Sequence, residues 1–138
     1  MINLLQEINK MQDILGSNQI VYIPSNWKIF YEYDENLQEM KGLCILYPYA
    51  RLPYKNEYIT GKIAEIGIFT FPKYRKQGVC SRLVKQAIQY ALKNKIDIVA
   101  DCTPEGYQTL LSLGFKESTE KRVWLNCSKV KLLKKEML

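Results

Sequence analysis

Ile63-Ala64-Glu65-Ile66-Gly67-Ile68-Phe69-Thr70-Phe71-Pro72-Lys73-Tyr74-Arg75-Lys76-Gln77-Gly78-Val79-Cys80-Ser81-Arg82-Leu83 is the stretch whose reading decides the fold. Up to Phe71 it is rich in β-branched and aromatic residues, which favour a pleated strand, and Pro72 ends that strand. Beyond a polar turn, Leu83, Val84, Ala87, Ile88, Ala91 and Leu92 recur at helical spacing and predict a helix that runs to Asn94. Strand, compact turn and helix together make an anion site. The first N–H groups of a helix lack intrahelical acceptors and sit at the positive end of its dipole, so a turn that brings backbone close there can cradle phosphate. Gly78 permits the close approach, and Arg75, Lys76 and Arg82 surround it with positive charge.

Working outward, Pro72 to Leu83 resembles the acetyl-CoA-binding signature of the GNAT family of N-acetyltransferases, whose core is Arg or Gln, two residues, Gly, one residue, then Gly or Ala. Downstream, Tyr107-Gln108-Thr109-Leu110-Leu111-Ser112-Leu113-Gly114-Phe115-Lys116 is similar to the same family's second signature, a helix ending in Leu-Gly-Phe that leads into the last hairpin. The two motifs stand in the family's order, with a helix and a strand-like segment between them, and the likeness covers roughly residues 57 to 127.

The resemblance implies an α/β (α+β) fold: a central mixed, mostly antiparallel sheet flanked by helices, with a splayed central pair of parallel strands. It implies direct transfer of an acetyl group from acetyl-CoA, as co-substrate, to an amine. On the residues that match the motif, the N–H groups of Gln77, Gly78, Val79, Cys80, Ser81 and Arg82 would hold the pyrophosphate, with Arg75 beside them. The backbone around Ile68, Phe69 and Thr70 would pair with the pantetheine arm. Glu65, just ahead of that strand end, would be the base; facing solvent or pairing with a lysine are the other readings of the same residue.

Three positions depart from the family pattern. Leu110 stands where the family often has the tyrosine that protonates the leaving thiolate, and Tyr107, one helical turn earlier, is the displaced candidate for that role. Thr103 replaces a frequent asparagine at the start of the same helix. Cys80 replaces Gly or Ala and reads either as a small packing residue or as a redox-sensitive thiol at a helix N-terminus.

Composition bounds the rest. The 138 residues, 47% hydrophobic and 25% charged, describe one globular domain, with residues 128–138 a basic C-terminal extension. The absence of histidine excludes Ser-His and Cys-His nucleophile schemes. The four cysteines, Cys44, Cys80, Cys102 and Cys127, form no CxxC pair, so no metal site is expected and the thiols read as reduced. With no basic leader and no apolar run of membrane-spanning length, the expected location is cytoplasmic, away from membranes. A net charge of +6 attracts anions in general.

In chain order, Leu4, Leu5, Ile8, Met11, Ile14 and Leu15 stripe a first helix that Gly16-Ser17-Asn18 ends, and the stripe should cover a sheet face. Ile20 to Ile23 is a short apolar run. Trp27–Tyr33, Met40–Tyr49 and Tyr58–Phe71 predict three antiparallel strands, and Ile96–Cys102 a strand parallel to the last of them. Thr103-Pro104-Glu105 suits a helix start, Gly114 its end, and 115–127 a closing hairpin. Tyr47, Tyr49, Tyr54 and Tyr58 read equally as an acceptor cleft, a stacking platform for bases, or hairpin aromatics packed over the sheet edge.

Two functions compete at this level. One is a small N-acetyltransferase acting on a small-molecule or protein amine, in a form compatible with a homodimer. The other is a catalytically weak or inactive acetyltransferase-like domain that binds a protein or, less favoured, a nucleic acid. Leu110 and Cys80 are the residues that keep the second reading open.

Overall fold

A computed structural model of the chain describes residues 2–49, 62–101, 104–119, 122–125 and 127. The elements are α1 (Leu4–Leu15), β1 (Lys28–Asp34), β2 (Glu39–Tyr47), β3 (Lys62–Thr70), a 3-10 turn (Pro72–Tyr74), α2 (Val79–Asn94), β4 (Ile96–Asp101), α3 (Pro104–Ser112), β5 (Lys116–Thr119) and β6 (Arg122–Leu125). They build a six-stranded sheet in the order β1-β2-β3-β4-β6-β5. Among the described residues only β3 and β4 run parallel, and every other pair is antiparallel. The mixed, mostly antiparallel sheet expected from the sequence is therefore present.

Each face of the sheet carries its own core because strand residues alternate. Cys44 and Leu46 of β2, Ala64 and Ile66 of β3, and Ile98 and Ala100 of β4 pack with the buried stripe of α2. Leu43 and Ile45 point the other way and join Phe69 under Ile8 and Met11 of α1. The α1 stripe thus covers a sheet face, as expected. A register shift between Glu32 and Tyr33 skips Lys41, so Met40 joins the α1 core although its even number matches the α2 side.

Caps fix the two long helices. Asn3 Oδ1 accepts the Gln6 N–H at 3.1 Å, and Gly16, with φ of 70°, closes α1. The Asn9 side chain then grips the loop that follows, donating to the Ile20 carbonyl at 2.9 Å and accepting its N–H at 2.8 Å. With its backbone held by a side chain, the Ile20–Ile23 run does not become a strand. Along α2, Val79, Leu83, Val84, Ala87, Ile88, Ala91 and Leu92 are all buried. Burial of such side chains contributes about 1.5–3 kcal/mol for each larger aliphatic, so the N-terminal turn of α2 rests on a fixed base.

Gly42 lies inside β2. A Cβ there would stand 2.7 Å from Val79 Cγ1 and 3.0 Å from the Phe69 carbonyl oxygen. Strand β2 and the first turn of α2 meet at this point with no room between them.

Tyr54, Tyr58, Cys102, Thr103 and the 128–138 extension lie outside the described residues. Among the described residues no helix is long and apolar enough to cross a membrane.

Gly42→Ala should lower unfolding stability by about 1–3 kcal/mol through overpacking against the stiff Val79 side chain. Urea denaturation checks this; an unchanged midpoint would mean that the contact between β2 and α2 is looser than it stands.

Candidate active site

The site begins where β3 and β4 part. Their pairing runs from Lys62↔Ile96 to Glu65↔Val99 and stops, although β3 continues to Thr70 and β4 to Asp101. β3 keeps its other partner throughout, from Tyr47↔Glu65 to Gly42↔Thr70 of β2. From Ile66 onward, alternate N–H and C=O groups of β3 therefore face a gap rather than a strand.

The turn after β3 is held from several sides. The Tyr74 hydroxyl donates to Glu39 Oε2 at 2.6 Å, and Lys73 Nζ binds the same oxygen at 2.9 Å. These bonds hold the Glu39 carboxyl below the usual carboxylate range, the Tyr74 bond being the larger cause. Arg75 Nε donates to the Thr70 carbonyl at 3.3 Å. Lys76 and Gly78 both take left-handed backbone, with φ of 63° and 77°. Glycine adopts that conformation without strain.

Gly78 is the N-cap of α2, and no side chain caps the helix. The first intrahelical bond is donated by the Arg82 N–H to the Gly78 carbonyl at 3.1 Å. Val79, Cys80 and Ser81 therefore present N–H groups that precede the helical ladder. The Arg82 N–H is already committed, which removes it from the phosphate-binding set expected from the sequence.

Its side chain is committed as well. Arg82 Nε and Nη2 donate to the two carboxylate oxygens of Glu32 on β1, at 2.6 and 3.1 Å. Nη1 donates to the Gln77 carbonyl at 3.0 Å and lies 2.9 Å from where a Gly78 Cβ would be. This bidentate pair braces the turn, and Glu32 offsets part of the positive charge expected there. Sequence reading missed the brace because the partners are 50 residues apart.

Ile68 and Phe69 turn their side chains into the two cores, so only their backbone, with that of Thr70, is available beside the gap. Glu65 is 1% exposed and carries polar interactions, which excludes the solvent-facing reading. It shares the α1 face of β3 with Gly67 and Phe69. A second buried carboxyl, Asp97, lies opposite Ile63 on β4 and was not singled out in the sequence.

Leu110 is fully buried in the core beneath α2 and α3. The Tyr107 hydroxyl donates to Glu117 Oε2 at 2.5 Å, tying α3 to β5. Cys80 is half-buried against the α2 core, and burial pushes its thiol up. That desolvation works against the redox-sensitive thiolate reading of Cys80. Burial also raises Cys44, with Cys80 adding to it, and pushes Cys127 up to about 12, with Asp97 adding to it. Among the described residues no cluster of three or more His, Cys, Asp or Glu is placed to hold a metal.

With this geometry in place, comparison with protein families gives a match to the acetyltransferase (GNAT) family over residues 26–115. The chain belongs to the GNAT family. No curated protein matches it by sequence. Among solved structures it is similar to an acetyltransferase-class protein of Acinetobacter baylyi, with TM-score 0.61 and 19% identity over 83% of this chain and 74% of that one. It is also similar to the spermidine N-acetyltransferase of Vibrio cholerae solved with CoA and spermine, with TM-score 0.58 and 19% identity over 91% and 75% of the two chains. A third is the Sinorhizobium meliloti phosphinothricin acetyltransferase in complex with acetyl-CoA, with TM-score 0.56 and 14% identity over 86% and 58%. At these identities the likeness is one of fold.

The raised thiols set an alkaline limit. Unfolded thiols ionise near about pH 8.5, whereas the buried ones stay protonated to higher pH. Stability is then full below that value and falls as pH rises toward about 12, by up to about 1.4 kcal/mol per pH unit for each such thiol. Denaturant midpoints of the wild type should drop between pH 8.5 and 10, and a Cys44→Val variant should show a shallower drop. Parallel curves would assign the loss to other groups.

Proposed function

We propose that this chain is an acetyl-CoA-dependent N-acetyltransferase that acts by direct transfer to an amine. The observation that carries the reading is the succession of three features along one strand, turn and helix. They are the gap that opens after Glu65↔Val99, the uncapped N-terminus of α2 at Gly78, and the buried Glu65 carboxyl at the fork.

The residues fit acetyl-CoA as co-substrate. The N–H groups of Gly78, Val79, Cys80 and Ser81, with Gln77 before them, suit a pyrophosphate, and Arg75 adds a cation nearby. The exposed backbone of β3 at Ile68, Phe69 and Thr70 suits an amide-bearing arm laid along it in place of a strand. Acetyl-CoA would supply an activated thioester; the protein's task is to hold an amine against it and accept a proton.

Glu65 is assigned as the proton acceptor, directly or through water. Exchange of the Tyr107 bond to Glu117 would have to precede any donation by that phenol into the gap. Solvent protonation of the thiolate, a comparatively good leaving group, needs no such step. Among acceptors, a small-molecule amine and a protein amine both remain consistent with the fold.

Calorimetric titration with acetyl-CoA tests the cradle. Wild-type protein should bind, and Gly78→Glu, which puts a carboxylate where the diphosphate would sit and displaces Arg82, should not, with its circular dichroism retained. Glu65→Gln should keep acetyl-CoA binding and lose about 10²–10⁴-fold in amine-dependent CoA release. Equal binding by wild type and Gly78→Glu would refute the cradle. Binding without release across primary amines would favour a binding module, consistent with a leucine at 110.

A further inference from the structure

Lys73, Arg75 and Lys76 on the turn and Arg82 in the first turn of α2 put four cations around the cradle. Two of them are bound to carboxylates, Lys73 to Glu39 at 2.9 Å and Arg82 to Glu32 at 2.6 Å. The two acids differ in setting. The Glu39 side chain keeps 42% of its surface in solvent, whereas that of Glu32 keeps 19%, so less water screens its charge. Glu32 stands on the side of β1 that faces α2, where Phe30 packs into the α2 core. Its register partner is Gly42, the residue against which Val79 of the first helical turn packs. Pairing between strands therefore sets this carboxylate beside the N-terminus of α2.

The guanidinium lies between the acid and the cradle. Arg82 Nε and Nη2 face Glu32, while Nη1 donates to the Gln77 carbonyl and lies 2.9 Å from where a Gly78 Cβ would stand. No side chain caps the helix at Gly78. A diphosphate received by the first N–H groups of α2 thus meets an arginine whose charge is already answered, and behind it the carboxylate that answers it. Like charges held across one guanidinium repel, and the guanidinium cannot give the same edge to both.

We propose that Glu32 is an internal counter-ion of the cradle: it competes with the CoA diphosphate for Arg82, holding CoA affinity down and product release fast. The inference rests on the acetyl-CoA reading above and adds the tuning of that site. Acetyl-CoA and CoA carry the same diphosphate, so a stronger grip would hold substrate and product equally and slow the exchange of one for the other. As the diphosphate arrives, Glu32 yields part of its bidentate hold on Arg82. As it leaves, the carboxylate takes the guanidinium back, so no unpaired charge is left beside the helix. Glu32 acts through Arg82 and is a positioning residue.

Calorimetric titration of CoA and acetyl-CoA into the full chain, at about 20 mM and about 500 mM salt, tests the competition in the wild type, Glu32→Gln and Glu32→Asp. Glu32→Gln should bind both ligands about three- to tenfold tighter at low salt, and the gain should fall below about twofold at high salt. Glu32→Asp keeps the charge and should stay within about twofold of the wild type. A stopped-flow chase of bound CoA should show the gain chiefly as slower release. A glutamate that only braces the turn predicts the opposite sign, with weaker binding by Glu32→Gln at both salts. Equal or weaker binding by Glu32→Gln, or a gain shared by Glu32→Asp, would overturn the competition and leave the acetyl-CoA cradle standing. Absence of binding in the wild type and both variants would overturn both.

Discussion

The structure depends on the point where β3 loses β4 as a partner. Up to Glu65↔Val99 the two parallel strands share hydrogen bonds; beyond it β3 is held by β2 alone. A strand edge in the middle of a sheet is costly unless something else meets its backbone groups. On one side of the sheet the buried stripe of α2 from Val79 to Leu92 packs against β2, β3 and β4. The contact of Gly42 with Val79 sets how close the first turn of that helix comes to β2.

Around that arrangement, charge is spent on bracing as much as on attraction. Arg82 reaches Glu32 and the Gln77 carbonyl, while Glu39 collects Tyr74 and Lys73. Both ion pairs are largely exposed, and pairs of that kind contribute little to global stability. Their role is local: they fix the turn from Pro72 to Gly78, whose left-handed residues would otherwise favour other conformations. A basic stretch that looks in sequence like an open field of positive charge is in the fold a braced loop.

The face of β3 toward α1 has a different character. Phe69 is sealed in the α1 core, Gly67 yields its space to Tyr47, and Glu65 sits buried at the fork. A graded surface, apolar at one end and carboxylate at the other, lies on the opposite side of the sheet from α2.

Much of this was legible in the chain. The alternation in 63–71, the helical recurrence from Leu83 to Leu92 and the breakers at Pro72 and Gly78 are local signals. They determined the strand, turn and helix and the parallel crossover. Long-range partners were not legible. Nothing near Arg82 announces Glu32, nothing near Tyr107 announces Glu117, and the shift at Lys41 that turns Met40 toward α1 arises from pairing with β1. Burial was equally hidden: the sequence left Cys80 open between a packing residue and a reactive thiol, and Glu65 open between a base, a solvent-facing residue and a lysine partner, and only the fold shows that Glu65 is buried and that burial raises the Cys80 thiol. Periodicity and breakers act between neighbours in sequence, so the sequence by itself determined the elements and their order. Pairing, desolvation and clearance act between residues far apart in the chain, so only the tertiary structure decided which charges are committed, which thiols stay neutral and which ring lies beside Glu65.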